Sequence, residues 1–195
     1  MKEKINEFNI VIVGVGGQGL LTILQILAEA ALSQGYEVRT SELHGLAQRG
    51  GSIEVHIRFG KGIFSPLVSA QKADLIMALE MQEALHGAYF ANEKTKFLLN
   101  QYIIPIPPAK TLAEEEIISS LKKISKDIHL IPAREICQRA VATDVVAGIY
   151  LLGVSVSKKI LPLEEEVLIS AIKKIIPEKY LELNLKSFNL AKAEK

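Results

Sequence analysis

The chain has 195 residues, 49% of them apolar, and carries 23 basic against 22 acidic side chains for a formal net charge of +1. A chain of that length buries roughly 70% of its unfolded surface, so a single domain over 1–195 needs no disulfide staples. The charge balance removes the electrostatic case for a nucleic-acid or membrane-surface partner. The single cysteine, Cys137, excludes an internal disulfide and any cysteine-ligated zinc or iron–sulfur site held by this chain. Met1 to Glu7 is short and charged, with no apolar signal core behind it. The apolar run that follows is broken by glycines and is too short to span a bilayer, so a cytoplasmic location is the expectation.

Ile10-Val11-Ile12-Val13 is an unbroken β-branched run, the pattern of a strand buried on both faces. Gly14, Gly16, Gly17 and Gly19 follow at once, and an apolar-periodic run begins at Leu20. Strand, glycine turn and helix start make a Rossmann-like βα opening, and Gly14, Gly16 and Gly19 fit the spacing G-x-G-x-x-G. Two readings of these glycines stand side by side. Without Cβ atoms they let a phosphate or carboxylate approach the N–H groups of the following helix. Equally, they let the helix pack closely on the strand with no ligand at all. Gln18 adds an amide where a ligand or a partner backbone would sit. A nicotinamide nucleotide calls for an acid at the end of the second strand, about 20 residues on. That strand ends at Arg39-Thr40, and Glu42 comes late, which argues against such a nucleotide.

The first helix is predicted over Gln18 to Leu32, closed by Gly35, with a second strand over Tyr36 to Thr40. Ser41 to Ser52 then gathers Glu42, His44, Gln48, Arg49 and three glycines directly after a strand end, where open α/β sheets bind ligands. Arg49 beside Gly50-Gly51 offers a bidentate anion donor next to exposed backbone N–H groups. Ile53 to Phe59 alternates strictly, with Glu54, His56 and Arg58 on the polar face. Gly60-Lys61-Gly62 reads as a turn and Ile63 to Leu67 as the returning hairpin strand, which makes the sheet mixed.

Further elements are predicted as a strand over Ala73 to Glu80, a helix over Met81 to Phe90 and a strand over Thr95 to Asn100. Pro105, Pro107 and Pro108 mark an extended connection. A helix over Glu114 to Lys126 carries acids first and lysines last. Ile128 to Pro132 is a short strand before the helix that carries Cys137, a buried structural thiol. Asp144 is expected to cap a buried helix over Val145 to Val156. Leu163 to Ile175 is amphipathic and ends before Pro177, and Asn184 to Lys195 closes the chain. The fold class is therefore α/β: a three-layer α/β/α domain with a Rossmann-like start and a mixed sheet holding at least one antiparallel hairpin.

His44, His56, His86 and His129 fall on separate elements and make no metal site. Glu83 and His86 stand i, i+3 like half of a di-iron motif, but no second copy exists and a solvated helix face is the reading. Ser65 lacks a nucleophile elbow, and no Lys-Ser or Lys-Thr follows Gly19 as a P-loop would require.

Taken together, Gly14-Val15-Gly16-Gly17-Gln18-Gly19 and His44-Gly45-Leu46-Ala47-Gln48-Arg49-Gly50-Gly51 resemble the gamma-type subunit or domain of 2-oxoacid:ferredoxin oxidoreductases. The similarity continues through Phe64-Ser65-Pro66-Leu67, Ala73-Asp74, Ala78-Leu79-Glu80 and Asn184-Leu185-Lys186-Ser187-Phe188, almost the whole chain. It is closest to the small (beta) subunits of the indolepyruvate type. The resemblance implies oxidative decarboxylation of a 2-oxoacid with CoA to acyl-CoA, carbon dioxide and reduced ferredoxin. Thiamine diphosphate would do the carbanion chemistry and 4Fe-4S clusters would carry the electrons. It implies that both lie on a large partner subunit, that ferredoxin is met through the complex, and that this chain alone is inactive. It also implies that Gly14, Gly16, Gly17, Gln18, Gly19, His44, Gln48, Arg49, Gly50 and Gly51 face the shared site, against CoA, a cofactor or the partner backbone. Asp144 stands where relatives often carry Asn, a replacement that preserves helix capping.

Overall fold

β1 (Glu7–Val15) occupies the middle of a six-stranded sheet with the order β2-β3-β1-β4-β5-β6. The computed structural model of the chain describes residues 5–44, 51–105 and 111–192, with His44 by its backbone alone. The unbroken apolar run of β1 follows from its two buried faces. Ile10 and Ile12 enter one core and Val11 and Val13 the other. α1 (Leu20–Ser33) packs Ile23, Ile26, Leu27 and Ala30 onto the first of these cores. Its end is closed as the sequence predicts: Gly35 has φ 80°, and its N–H reaches the Leu32 carbonyl at 2.8 Å.

β2 (Glu37–His44) runs parallel to β1 without touching it, because β3 (Ser52–Gly60) lies between them, antiparallel to both. Ile57 stands opposite Ile10 on one side and Thr40 on the other. The mixed sheet is thus present, but with a different partner from the predicted one. Ile63 to Leu67 forms no strand, since both edges of β3 are already taken and Pro66 has no N–H to donate. The segment instead straps one face of β3. Arg58 Nη1 donates to the Ser65 carbonyl at 2.9 Å, and the Val68 N–H meets His56 Nδ1 at 3.2 Å.

β4 (Leu75–Ala78), β5 (Lys96–Asn100) and β6 (Ile128–Ile131) extend the sheet in parallel on the other side of β1. The predicted helix over 81–90 is split into α2 (Glu83–Gly87) and a 3-10 turn over Ala88–Phe90. α3 (Glu114–Lys122) ends earlier than predicted. α4 (Ala133–Val141) buries Cys137 completely, and burial pushes its thiol pKa up, as an inert structural thiol requires. α5 (Ala147–Ser157) is capped by Val146 rather than Asp144, whose carboxylate is taken by Arg134. α6 (Glu165–Ile175) and α7 (Glu178–Leu190) meet at Pro177, which stops one helix and opens the next. α7 therefore begins six residues before the predicted Asn184. The three layers are unequal: α1, α4, α5, α6 and α7 cover one face, α2 and α3 the other.

Candidate functional site

From β1 the chain turns toward β2, and from β4 it proceeds the opposite way, so the carboxyl ends of these two neighbours part. In open α/β sheets the crevice at such a switch point is the ligand position. Here it is an open cleft of about 290 Å³, walled by the Val15–Gln18 loop, Leu79, Asn100, Tyr102, Arg134, Asp144 and the start of α5. A more apolar cleft of about 540 Å³ adjoins it, sharing Gln18, Val145 and Gly148 and extending over Ile149, Ile176 and Tyr180.

The glycines of the loop divide into two kinds. Gly17 and Gly19 have φ of 100° and 80°, and a Cβ on either would meet nothing within 4 Å. Their backbone conformation demands glycine, and the space beside them is open to an approaching group. A Cβ on Gly14 would lie 2.6 Å from Gln18 Oε1 and 3.2 Å from both the Leu79 and Leu20 side chains. Close packing therefore explains Gly14, while the rim at Gly17 and Gly19 stays accessible.

Gln18 departs from expectation. Its amide turns inward onto the chain's own backbone, with Oε1 accepting from the Val15 N–H at 2.9 Å and Nε2 donating to the Leu79 carbonyl at 3.3 Å. It staples the end of β1 to the end of β4. Asn100 Nδ2 donates to the same Leu79 carbonyl at 3.1 Å, and its Oδ1 accepts from the Arg134 N–H at 3.2 Å. The Arg134 guanidinium lies 3.9 Å over the Tyr102 ring, with Nε 2.5 Å from Asp144 Oδ2. A cation is thereby fixed at the mouth of the crevice. The sequence reading missed Asn100, Tyr102 and Arg134, which stand on separate elements with no spacing to link them.

The structure joins the two glycine-rich stretches: the Gly16 N–H donates to the Gly51 carbonyl at 3.0 Å. Ser52 Oγ then donates to Glu83 Oε2 at 2.5 Å, and His86 Nδ1 meets the same oxygen at 2.9 Å. Glu83 is thus buried, not part of a solvated helix face, and only His86 is exposed. Glu80 is buried beside it, accepting from the Glu83 N–H and the Ile104 N–H, each at 2.9 Å. Burial, reinforced by the Glu83 charge, holds its carboxyl above the usual range despite those donors. The side chain of His44, with Gln48, Arg49 and Gly50, lies outside the described residues.

Residues 9–194 match the family described as pyruvate ferredoxin/flavodoxin oxidoreductase. The chain belongs to that family. Among curated relatives, indolepyruvate oxidoreductase subunit IorB of Archaeoglobus fulgidus is 40% identical over 94% of this chain and 93% of its own length. The subunit of that name from Thermococcus kodakarensis is 35% identical over 95% of each chain. The gamma subunit of a keto/oxoacid ferredoxin oxidoreductase from Geobacter sulfurreducens shares the fold with a TM-score of 0.69 at 23% identity, covering 95% of this chain and 96% of its own. A 2-oxoglutarate:ferredoxin oxidoreductase from Magnetococcus marinus matches with a TM-score of 0.72 at 18% identity. The match spans 97% of this chain but only 31% of that longer one. At such identities these two solved structures speak for the fold.

Proposed function

We propose that this chain is the small, gamma-type subunit of a 2-oxoacid:ferredoxin oxidoreductase acting on indolepyruvate and related aryl pyruvates. One observation carries the reading: four curated relatives of 32–40% identity, aligned over 93% or more of both chains, are named indolepyruvate oxidoreductase subunits. The reaction is the CoA-dependent oxidative decarboxylation that yields acyl-CoA, carbon dioxide and reduced ferredoxin. This chain's residues do not fit the redox centres. One cysteine cannot supply four cluster thiolates. Among the described residues no three His, Cys, Asp or Glu side chains converge on a metal position, such as the divalent ion that carries a diphosphate. We assign thiamine diphosphate and the 4Fe-4S clusters to a large partner subunit, through which electrons reach ferredoxin. No described helix is long and apolar enough to cross a membrane. A cytoplasmic location is part of the proposal.

The chain contributes one wall of a shared site. Gly17 and Gly19 present open backbone there, Gly16 ties the loop to Gly51 and Gln18 braces it, and we assign His44, Gln48, Arg49 and Gly50 to the same site, with Arg49 as its anion donor toward CoA. The test is reconstitution of the complex and assay with indolepyruvate, CoA and an electron acceptor. The isolated chain is expected to be inactive and the complex active, with Arg49→Ala raising the KM for CoA about tenfold or more, the loss of a charge-assisted bond. A complex with no aryl-pyruvate activity refutes the substrate, and an unchanged CoA dependence in Arg49→Ala refutes the role of that stretch.

A further inference from the structure

Glu83 shares the buried side of α2 with Ala84 and Gly87 and is only 6% exposed. Burying a carboxylate costs free energy that an apolar side chain in the same space does not. The groups that reach it come from outside the core. They are the Ser52 hydroxyl at 2.5 Å and His86 Nδ1 at 2.9 Å, both on exposed residues that water would satisfy equally well. The carboxylate is therefore better explained by what it holds than by what it fills. It holds the end of a ladder. Val15 opposite Ser52 is the last pair of β1 and β3. One residue further along, the Gly16 N–H donates to the Gly51 carbonyl at 3.0 Å and joins the glycine loop to β3. A ladder end frays where nothing fixes its last residues, and here α2 fixes Ser52 from 31 residues away. The turn that leads into α2 grips the rest of the crevice in the same manner. Its Leu79 carbonyl accepts from Gln18 and Asn100, its Met81 N–H donates to the Tyr102 carbonyl, and its Glu80 carboxyl accepts from the Ile104 N–H.

We propose that Glu83 is a positioning residue for the crevice. Through Ser52 it fixes the Gly51 carbonyl, which holds the Gly16 N–H and with it the Gly17 to Gly19 rim in the shape that receives the ligand. Glu83 touches no ligand itself. A charge-assisted O–H···O⁻ bond is short and directional, so it sets the place of Ser52 as an apolar neighbour would not. The inference rests on the functional reading above for the identity of the ligand, CoA, and for nothing else.

Two variants separate position from packing: Glu83→Gln keeps an acceptor oxygen for Ser52, whereas Glu83→Met fills the same space and holds nothing. In the isolated full chain, hydrogen exchange at the Gly16 amide is expected to be about tenfold faster in Glu83→Met, the loss of a charge-assisted bond, and unchanged in Glu83→Gln. The melting temperature of Glu83→Met is expected not to fall, since the groups it orphans are exposed to water. In the reconstituted complex, Glu83→Met and Ser52→Ala should each raise the KM for CoA about tenfold with kcat unchanged. Their double variant should do no more than either alone, because both remove one bond. Gly153→Ala, whose Cβ would strike the α7 backbone on the opposite layer, should lower the melting temperature and leave that KM unchanged. Gly16 exchange that is identical in wild type and Glu83→Met overturns the positioning role and makes Glu83 a packing residue. Faster exchange with an unchanged KM, additive effects of the Ser52 and Glu83 variants, or an equal KM rise in Gly153→Ala overturns its link to the ligand. A wild-type complex without CoA-dependent activity overturns the functional reading, and the exchange result still decides the clasp.

Discussion

Gly14 and Gln18 compete for one small volume behind the crevice, and the arrangement works only because the glycine has no Cβ. Gly14→Ala should cost about 2 kcal/mol, an overpacking penalty against the Gln18 amide and the Leu79 side chain. Gln18→Ala should cost about 1–2 kcal/mol, leaving the Val15 N–H without its acceptor. Combined, the two should cost about 1 kcal/mol less than their sum, because the second change vacates the space the first one needs. Urea unfolding of the three variants measures this, and strict additivity would show that the clash is relieved elsewhere. Glu80 makes a pH-dependent counterpart. Its pKa in the fold is raised above the usual 4.5, so the folded chain holds that proton more tightly than the unfolded one. Stability from this group is therefore full below pH 4.5 and declines as pH rises through the elevated value. Wild type should exceed Glu80→Gln in stability by the widest margin near pH 4 and by a narrowing one toward neutrality. A margin that is flat or widens with pH counts against a raised Glu80.

α5 shows how two glycines on one helix differ in consequence. A Cβ at Gly153 would lie 2.3 Å from the Phe188 carbonyl oxygen, backbone of α7 that cannot step aside. At Gly148 the nearest obstacle is the terminal methyl of Ile23 at 2.5 Å, which can swing away. Gly153→Ala should therefore cost about 2–3 kcal/mol, while Gly148→Ala stays within about 1 kcal/mol, helped by alanine's helix propensity. Equal unfolding midpoints for the two would contradict this account of how α5 and α7 cross. Local signals of this kind, a strand with two buried faces, the Gly35 cap, acids opening α3 and α6, were legible because each lies within a few neighbouring residues. The pairing of β3 was not. Its alternation told which face is buried, but nothing in residues 53–59 says that β1 and β2 take both of its edges. Buried Glu83 was misread for the same reason, since its partner Ser52 is 31 residues away.

For the molecule as a whole, the layers and the mixed sheet could be read in advance, and so could the glycine loop as a crevice wall. Arg134, held between Tyr102 and Asp144, could not, because the three converge only when the ends of β5, α4 and α5 meet. The reading of Gln18 reversed for a related reason. An amide in a glycine loop looks outward until the neighbouring strand end, 61 residues on, supplies a carbonyl for it.

The insertion of β3 between β1 and β2 also bears on how the chain is made. The ribosome delivers β1, α1 and β2 before β3, so the opening βαβ unit first emerges with a gap one strand wide. The two parallel strands are held about 10 Å apart, twice the normal interstrand spacing, and share no backbone bond across that gap. Val38, Ile10 and Ile12 wait for Phe59, Ile57 and Val55 to fill it from the middle. The amino-terminal third of this protein is thus a frame that sets only after the strand following it has been synthesised.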